Sequence, residues 1–267
     1  MFVKNKTVQR YFITFSYDGT NYHGWQVQPN GVTVQQRLEE ALTVVLRTPV
    51  SVTGAGRTDA GVHARMMVAH FDIEDPATLN VSPDLKADGH SGGFCHQLAY
   101  RLNRILPQDI AVERVEAVSS DMHARFSATS RTYYYYLHTT KNPFLRHYSW
   151  ETHYSLDFEA MNSAAQWLLT QEDFASFCKV GADVKTTLCQ LTHAAWHQLS
   201  PTEWRFEITA NRFLRNMVRA VVGTLVEVGR HRLSFEGFQQ VVLSHSRTKA
   251  GESMPAHALF LVDIKYS

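Results

Sequence analysis

Aromatic and β-branched residues fill positions 10–17, and Asp18-Gly19 stops the run, so the chain is expected to open on a strand. Thr33 and Gln36 form a T-x-x-Q capping box, and the helix it starts places Val34, Leu38, Ala41, Leu42 and Val45 on one face. That helix ends near Arg47, ahead of Pro49. Short apolar runs at 50–53 and 66–73 predict two more strands. A loop holding Pro76, Pro83, Gly89, Gly92 and Gly93 follows. Residues 94–106 read as a helix with Leu98, Leu102, Ile105 and Leu106 inward and Arg101 and Arg104 outward, stopped by Pro107. Positions 110–118 alternate as a fourth strand. The order is βαββαβ, a split βαβ arrangement.

A looser version of the pattern then repeats. It predicts a strand at 131–139 and a helix at 158–169 with Met161, Ala164, Ala165 and Leu168 along one side. Strand-like runs at 174–178, 188–199 and 203–210 come next, then helices at 215–228 and 235–243 and a last strand at 257–266. The halves share element order and little sequence, which divides the chain into α+β halves at residues 1–119 and 120–267.

Composition narrows the class. At 267 residues the chain suits one large or two medium domains, and 44% hydrophobic with 19% charged residues is the balance of a soluble globular protein. No apolar run approaches the roughly 20 residues that cross a bilayer, and the polar opening residues lack the apolar core of a secretion signal. The expectation is a cytoplasmic protein without a membrane partner. Cys95, Cys178 and Cys189 fit neither a disulfide framework nor a zinc site, and the 14 histidines are scattered, so no metal and no cofactor is expected. A net charge of +1 argues against nucleic acid, yet Arg205, Arg212, Arg215, Arg219, Arg230 and Arg232 meet only Glu207 and Glu227 between positions 205 and 232. That local excess allows a basic surface on a nearly neutral molecule.

The most informative stretch is Ser51 to Ala64. Gly54, Gly56 and Gly61 surround Arg57 and Asp59, and Asp59 is the only acid between Glu40 and Asp72. Glycine costs backbone entropy, so such a cluster implies positive φ or the close approach of something bulky. In an extended segment Arg57 and Asp59 share a face, and a carboxylate beside an arginine is favoured in its charged form, as a nucleophile or base needs. Three other readings fit the spacing. A Gly-Xaa-Gly group can cradle phosphate, but a helix should follow directly and a strand is expected instead. Asp59-Ala60-Gly61 has a faint aspartic-protease look, but no paired Asp loop accompanies it. A plain hairpin turn needs no chemistry at all.

Residues Gly56-Arg57-Thr58-Asp59-Ala60-Gly61-Val62-His63-Ala64 resemble the active-site signature of the TruA-type tRNA pseudouridine synthases. Residues 17–28, with aromatics between glycines and amides, can be a packed surface feature or can stack and hydrogen-bond unpaired nucleotides, and they are similar to that family's N-terminal signature. Arg131, Tyr133 and Tyr135 match its R-x-Y-x-Y motif, and Met217-Val218-Arg219 with Gly223 match its arginine helix. Met254 to Leu259 is also family-like, with Ala258 where a glycine is usual. The resemblance implies a catalytic Asp59, with Arg57 displacing the target base and Arg219 ion-paired to Asp59. It implies Tyr133 against the uridine, with Arg131 and Thr58 as further substrate-binding residues. It also implies two ferredoxin-like-derived halves joined into one mixed, mainly antiparallel sheet with a central RNA-binding cleft. The activity implied is isomerisation of uridine to pseudouridine at positions 38, 39 and 40 of the tRNA anticodon stem-loop, by a homodimer. A non-catalytic tRNA-binding module and a nucleotide-binding enzyme using residues 54–61 are the rival expectations.

Overall fold

A computed structural model of the chain describes residues 8–74, 93–182 and 184–267; most of the Pro- and Gly-containing loop expected after residue 74 lies outside them. The chain divides into two compact units, Met1–Thr129 with Tyr266–Ser267, and Ser130–Lys265. Both are α+β, and their strand pairing is mixed and mainly antiparallel.

In the first unit β1 (Val8–Tyr17) is central, flanked by β4 (Ile110–Val118) and β3 (His63–Glu74), with β2 (Thr53–Gly54) on the far edge of β3. β1 pairs antiparallel with both neighbours, from Val8↔Glu74 to Tyr17↔Ala64 and from Arg10↔Val118 to Tyr17↔Ile110. Ile13, Phe15, Met67 and Phe71 are at most 1% exposed, and each such burial is worth roughly 2 kcal/mol. Helix α1 (Val34–Leu46) buries Val34, Leu38, Ala41, Leu42 and Leu46; Leu46 takes the place expected of Val45, which is half-buried. Helix α2 (Gly93–Ile105) meets the sheet through Phe94, whose ring lies 5.5 Å from that of Tyr11. The Asn103 side chain locks α2 to β4 by bonding both the N–H and the carbonyl of Val112 at 2.7 Å.

In the second unit the order is β9 (Leu259–Tyr266), β5 (Ala128–His138), β8 (Glu203–Ala210), β7 (Leu191–Ser200), with β6 (Trp150–Glu151) parallel to β5. Helix α3 (Phe158–Trp167) repeats the asparagine lock, Asn162 bonding the N–H and carbonyl of Trp196. Met161, Ala164, Ala165 and Leu168 are all fully buried, as the periodicity predicts. Helices α4 (Met217–Gly229) and α5 (Phe235–Leu243) complete the unit, and α4 is apolar along nearly its whole length because most of its residues are buried.

Four expectations need correction. Residues 174–178 form a 3-10 turn, Ala175–Phe177, instead of a strand: Asp173 accepts the Ala175 N–H at 2.9 Å, and the Ser176 hydroxyl donates to the Val241 carbonyl. The apolar run there is a buried turn, whose burial mimics a strand in sequence. The capping box closes on one side only. Thr33 accepts the Gln36 N–H, while the Gln36 side chain turns outward to Glu40. Ile105, expected inward, is 46% exposed, because the helix ends there and Leu106 buries in its stead. Of the expected strand at 50–53 only Thr53 enters the sheet, together with the following Gly54.

Candidate active site

Asp59 sits in the loop that joins β2 to β3. The loop enters through Gly54, paired with Ala69, and the Ala55 N–H then bonds the Val68 carbonyl at 2.8 Å. Its far end is a turn closed by the Val62 N–H on the Asp59 carbonyl at 3.1 Å. Of the glycines singled out in sequence, Gly54 lies against the Trp25 indole, where a Cβ would approach to 2.6 Å, and Gly61 takes a φ of 77°. Gly56 meets neither demand; nothing lies within 4 Å of where its Cβ would stand.

Exposure alternates along residues 57–59: Arg57 is exposed, Thr58 buried and Asp59 half-buried. Arg57 and Asp59 are therefore both more exposed than the Thr58 between them, an alternation that an extended segment produces. Thr58 points into the unit, where its hydroxyl lies 2.8 Å from the Tyr17 hydroxyl at the end of β1. The Thr58 carbonyl accepts the Trp25 N–H at 3.2 Å, and the Gly61 N–H reaches the Tyr22 carbonyl. The Gly19 N–H bonds Nδ1 of the buried His63 at 3.0 Å. Residues 17–28 thus form a packed scaffold beneath the Asp59 loop, with Tyr17, Tyr22 and Trp25 at most 6% exposed. Burial, with a bond to Asp109, pushes the Tyr22 phenol well above its usual range, so it stays a neutral donor. Sequence reasoning missed Tyr17, Gly24 and Trp25 as supports of the aspartate; their clustering around glycines was the available signal.

This scaffold predicts a measurable effect of Tyr17→Phe. The change leaves the buried Thr58 hydroxyl without its partner, which costs about 1 kcal/mol in denaturant unfolding. Any turnover that depends on Asp59 is expected to fall in kcat more than in KM, because the loop that slackens carries Asp59 while the exposed surface is untouched.

In the second unit, the four tyrosines of β5 divide by face. Tyr135 is fully buried, and burial pushes its phenol up against the opposing pull of Arg219. Tyr134 lies under the Arg205 guanidinium at 4.2 Å, and Tyr136 packs edge-on to Phe260. Tyr133 remains half-buried, its ring meeting Phe213 edge-on at 5.0 Å. Arg131 donates to the Asn211 carbonyl at 2.7 Å. Arg131 and Tyr133 are thereby both tied to residues 211–213, the turn leading into α4.

Arg219 lies in the first turn of α4. Its Nε donates to the Met254 carbonyl at 2.5 Å, while the Met254 N–H returns a bond to the Arg219 carbonyl at 3.2 Å. The segment before Met254 rests directly on the helix, since a Cβ on Gly223 would stand 1.8 Å from the Glu252 carbonyl oxygen. Ala258, where a glycine is usual, lies fully buried in a 3-10 turn without positive φ, so the alanine fits. Among the described residues, His193, His197 and Glu207 bring potential metal-ligand atoms within 4.8 Å of one another, but Glu207 is already paired with Arg205 at 3.2 Å.

The family model described as tRNA pseudouridine synthase matches residues 13–127 and 164–267. Those spans include the Asp59 loop and α4, and they omit the strand carrying Arg131 and Tyr133. The chain belongs to the tRNA pseudouridine synthase family. Among relatives in this synthase family, the tRNA pseudouridine synthase A of Bacteroides thetaiotaomicron is 53% identical, over 97% of this chain and 91% of its own. That of Porphyromonas gingivalis is 50% identical over 96% and 97%, and that of Acetivibrio thermocellus 37% identical over 95% and 98%. These synthase relatives therefore match nearly the whole of this chain.

Proposed function

We propose that this protein is an isomerase that converts uridine to pseudouridine in the anticodon stem-loop of tRNA, at positions 38, 39 and 40. The observation that carries the reading is a half-buried carboxylate, Asp59, on a loop fixed from below by backbone bonds and by Tyr17, with the exposed Arg57 two residues before it. A base within a stem is out of reach until it is extruded, and an arginine reaching outward two residues from the carboxylate suits the space the base leaves. Tyr133 offers the flat ring that a flipped uracil stacks on, and Arg131 fixes the strand that presents it. Arg219 is the cation that the family resemblance pairs with Asp59; its guanidinium is held in place by the Met254 carbonyl and can grip a carboxylate with two nitrogens.

The chemistry asks the carboxylate to help break the link between ribose C1′ and uracil N1. Attack on the ribose, attack on the base and removal of a ribose proton all require Asp59 ionised. The freed ring turns, and C5 takes the place of N1. Product and substrate hold the same atoms in the same oxidation state, so the reaction needs neither a redox partner nor a group donor. A homodimer working on tRNA in the cytoplasm belongs to the same reading, and light scattering of the pure protein measures the dimer directly.

The reading is tested with tRNA labelled with tritium at uridine C5, whose hydrogen is lost to water as the new link forms. Tritium release, with carbodiimide-dependent primer stops at 38–40, is the expected result. Binding of tRNA without release means a module that binds and does no chemistry; release with stops elsewhere means another target.

A further inference from the structure

Phe126 is 77% exposed, and it is not on a loose segment. The turn that carries it is closed by the His123 N–H on the Ser127 hydroxyl and the Ser127 N–H on the His123 carbonyl, both at 2.9 Å. Nδ1 of His123 accepts the N–H groups of Arg125 and Phe126 at 3.1 and 3.3 Å. The turn is fastened to the first unit at several points. Ala124 is fully buried, its N–H on Nδ1 of His70 and its carbonyl on the Tyr266 hydroxyl. Arg10, gripping Asp72 with two nitrogens, donates to the carbonyls of Ser120 and Met122 at 3.0 Å.

The result is a row of rings in edge-on and tilted contact, leading outward. His70 meets His123 at 4.5 Å, and His123 meets Phe126 at 4.4 Å. Burial and the charge of Arg10 keep both imidazoles below their ordinary pKa, so they back the phenyl ring as neutral aromatics. The charge at the tip comes from Arg125, exposed, with its guanidinium carbon 5.7 Å from the Phe126 centroid. Single exposed apolar side chains are common. A phenyl ring whose turn is already ordered, backed by a second ring and bordered by a cation, is the arrangement that stacks an unpaired base and meets its phosphate.

The geometry points to the Phe126–Arg125 turn as a second nucleic-acid contact, in which Phe126 stacks on an unpaired base of the tRNA and Arg125 meets the backbone beside it. This rests on the proposed tRNA substrate and adds a site seven residues ahead of Tyr133 in the chain. Because every base has a flat face, the contact adds affinity without choosing a sequence.

The test compares tRNA affinity, KM and salt dependence for wild type, Phe126→Ala, Phe126→Trp and Arg125→Ala. Loss of one stacked base weakens binding by about 5- to 150-fold, so Phe126→Ala is expected to fall at least about fivefold in affinity, the loss appearing in KM. Phe126→Trp restores it. Arg125→Ala lowers the slope of log K against log salt by about one, whereas Phe126→Ala leaves the slope unchanged. Thermal unfolding should be the same for all four, since the exposed ring adds little to folding. Wild-type affinity in Phe126→Ala overturns the inference. So does a change of oligomeric state in that variant, which would make the ring a contact between copies. If wild type itself neither binds nor modifies tRNA, the proposed function falls first, and the two failures are distinguishable.

Discussion

Replacing Asp59 with asparagine is expected to leave the protein folded, binding tRNA, and unable to make pseudouridine. Asparagine keeps the size of the side chain and its place on the loop, whose backbone bonds and Thr58–Tyr17 contact do not involve the carboxylate oxygens. It removes the negative oxygen on which every version of the chemistry depends. Loss of a nucleophile or essential base costs on the order of 10⁴-fold or more in kcat, so tritium release should fall to background. tRNA affinity should hold or rise slightly, since one negative charge facing phosphates is gone. Retained turnover within about tenfold of wild type would remove Asp59 from the chemistry. Equal loss of binding and of unfolding temperature would make it a structural residue.

Gly24→Ala is expected to be the most damaging change outside the residues that touch substrate. Gly24 takes a φ of +88°, and a Cβ there would stand 2.5 Å from the Thr58 carbonyl oxygen and 3.1 Å from the Asp59 carbonyl carbon. Both neighbours are backbone, so neither can rotate away. A left-handed alanine and a backbone clash together cost roughly 3 kcal/mol, which lowers the unfolding temperature by about 5 °C in a chain of this size. Relief of the clash pushes the Asp59 loop outward, and a shift near 1 Å at a reacting group costs about 100-fold in rate. Gly56→Ala is the matched contrast. With ordinary φ and open space around it, that change should leave stability unaltered or raise it by a few tenths of a kcal/mol. Calorimetry of the two variants, together with kcat at saturating tRNA, checks both. An undisturbed unfolding temperature in Gly24→Ala would mean the scaffold yields more easily than its contacts imply.

The two glycines differ in a way the sequence does not record. Both stand near Asp59, and only the fold shows that one touches the Asp59 loop from beneath while the other faces open space. Likewise residues 17–28 were legible as an aromatic and glycine-rich loop, open to two readings. The burial of Tyr17, Tyr22 and Trp25 decides for the scaffold. Residues 174–178 were misread because burial in a 3-10 turn and burial in a strand select the same apolar side chains. Phe126 went unremarked among aromatic neighbours, since exposure is a property of the folded surface.

What the sequence alone determined is local and periodic: the order of nearly all helices and strands, the inward faces of α1 and α3, and the nine-residue signature around Asp59. Helix and strand periods are written into neighbouring side chains, and the signature is contiguous, so neither needs distant contacts to be read. Tertiary structure decided what joins residues far apart in the chain: Thr58 held by Tyr17, Arg219 held by Met254, and a phenyl ring left in solvent by a turn pinned to His70 and Arg10. Those contacts depend on which surfaces meet when the strands pair, and a side chain's identity does not specify its partner until the chain has folded around both.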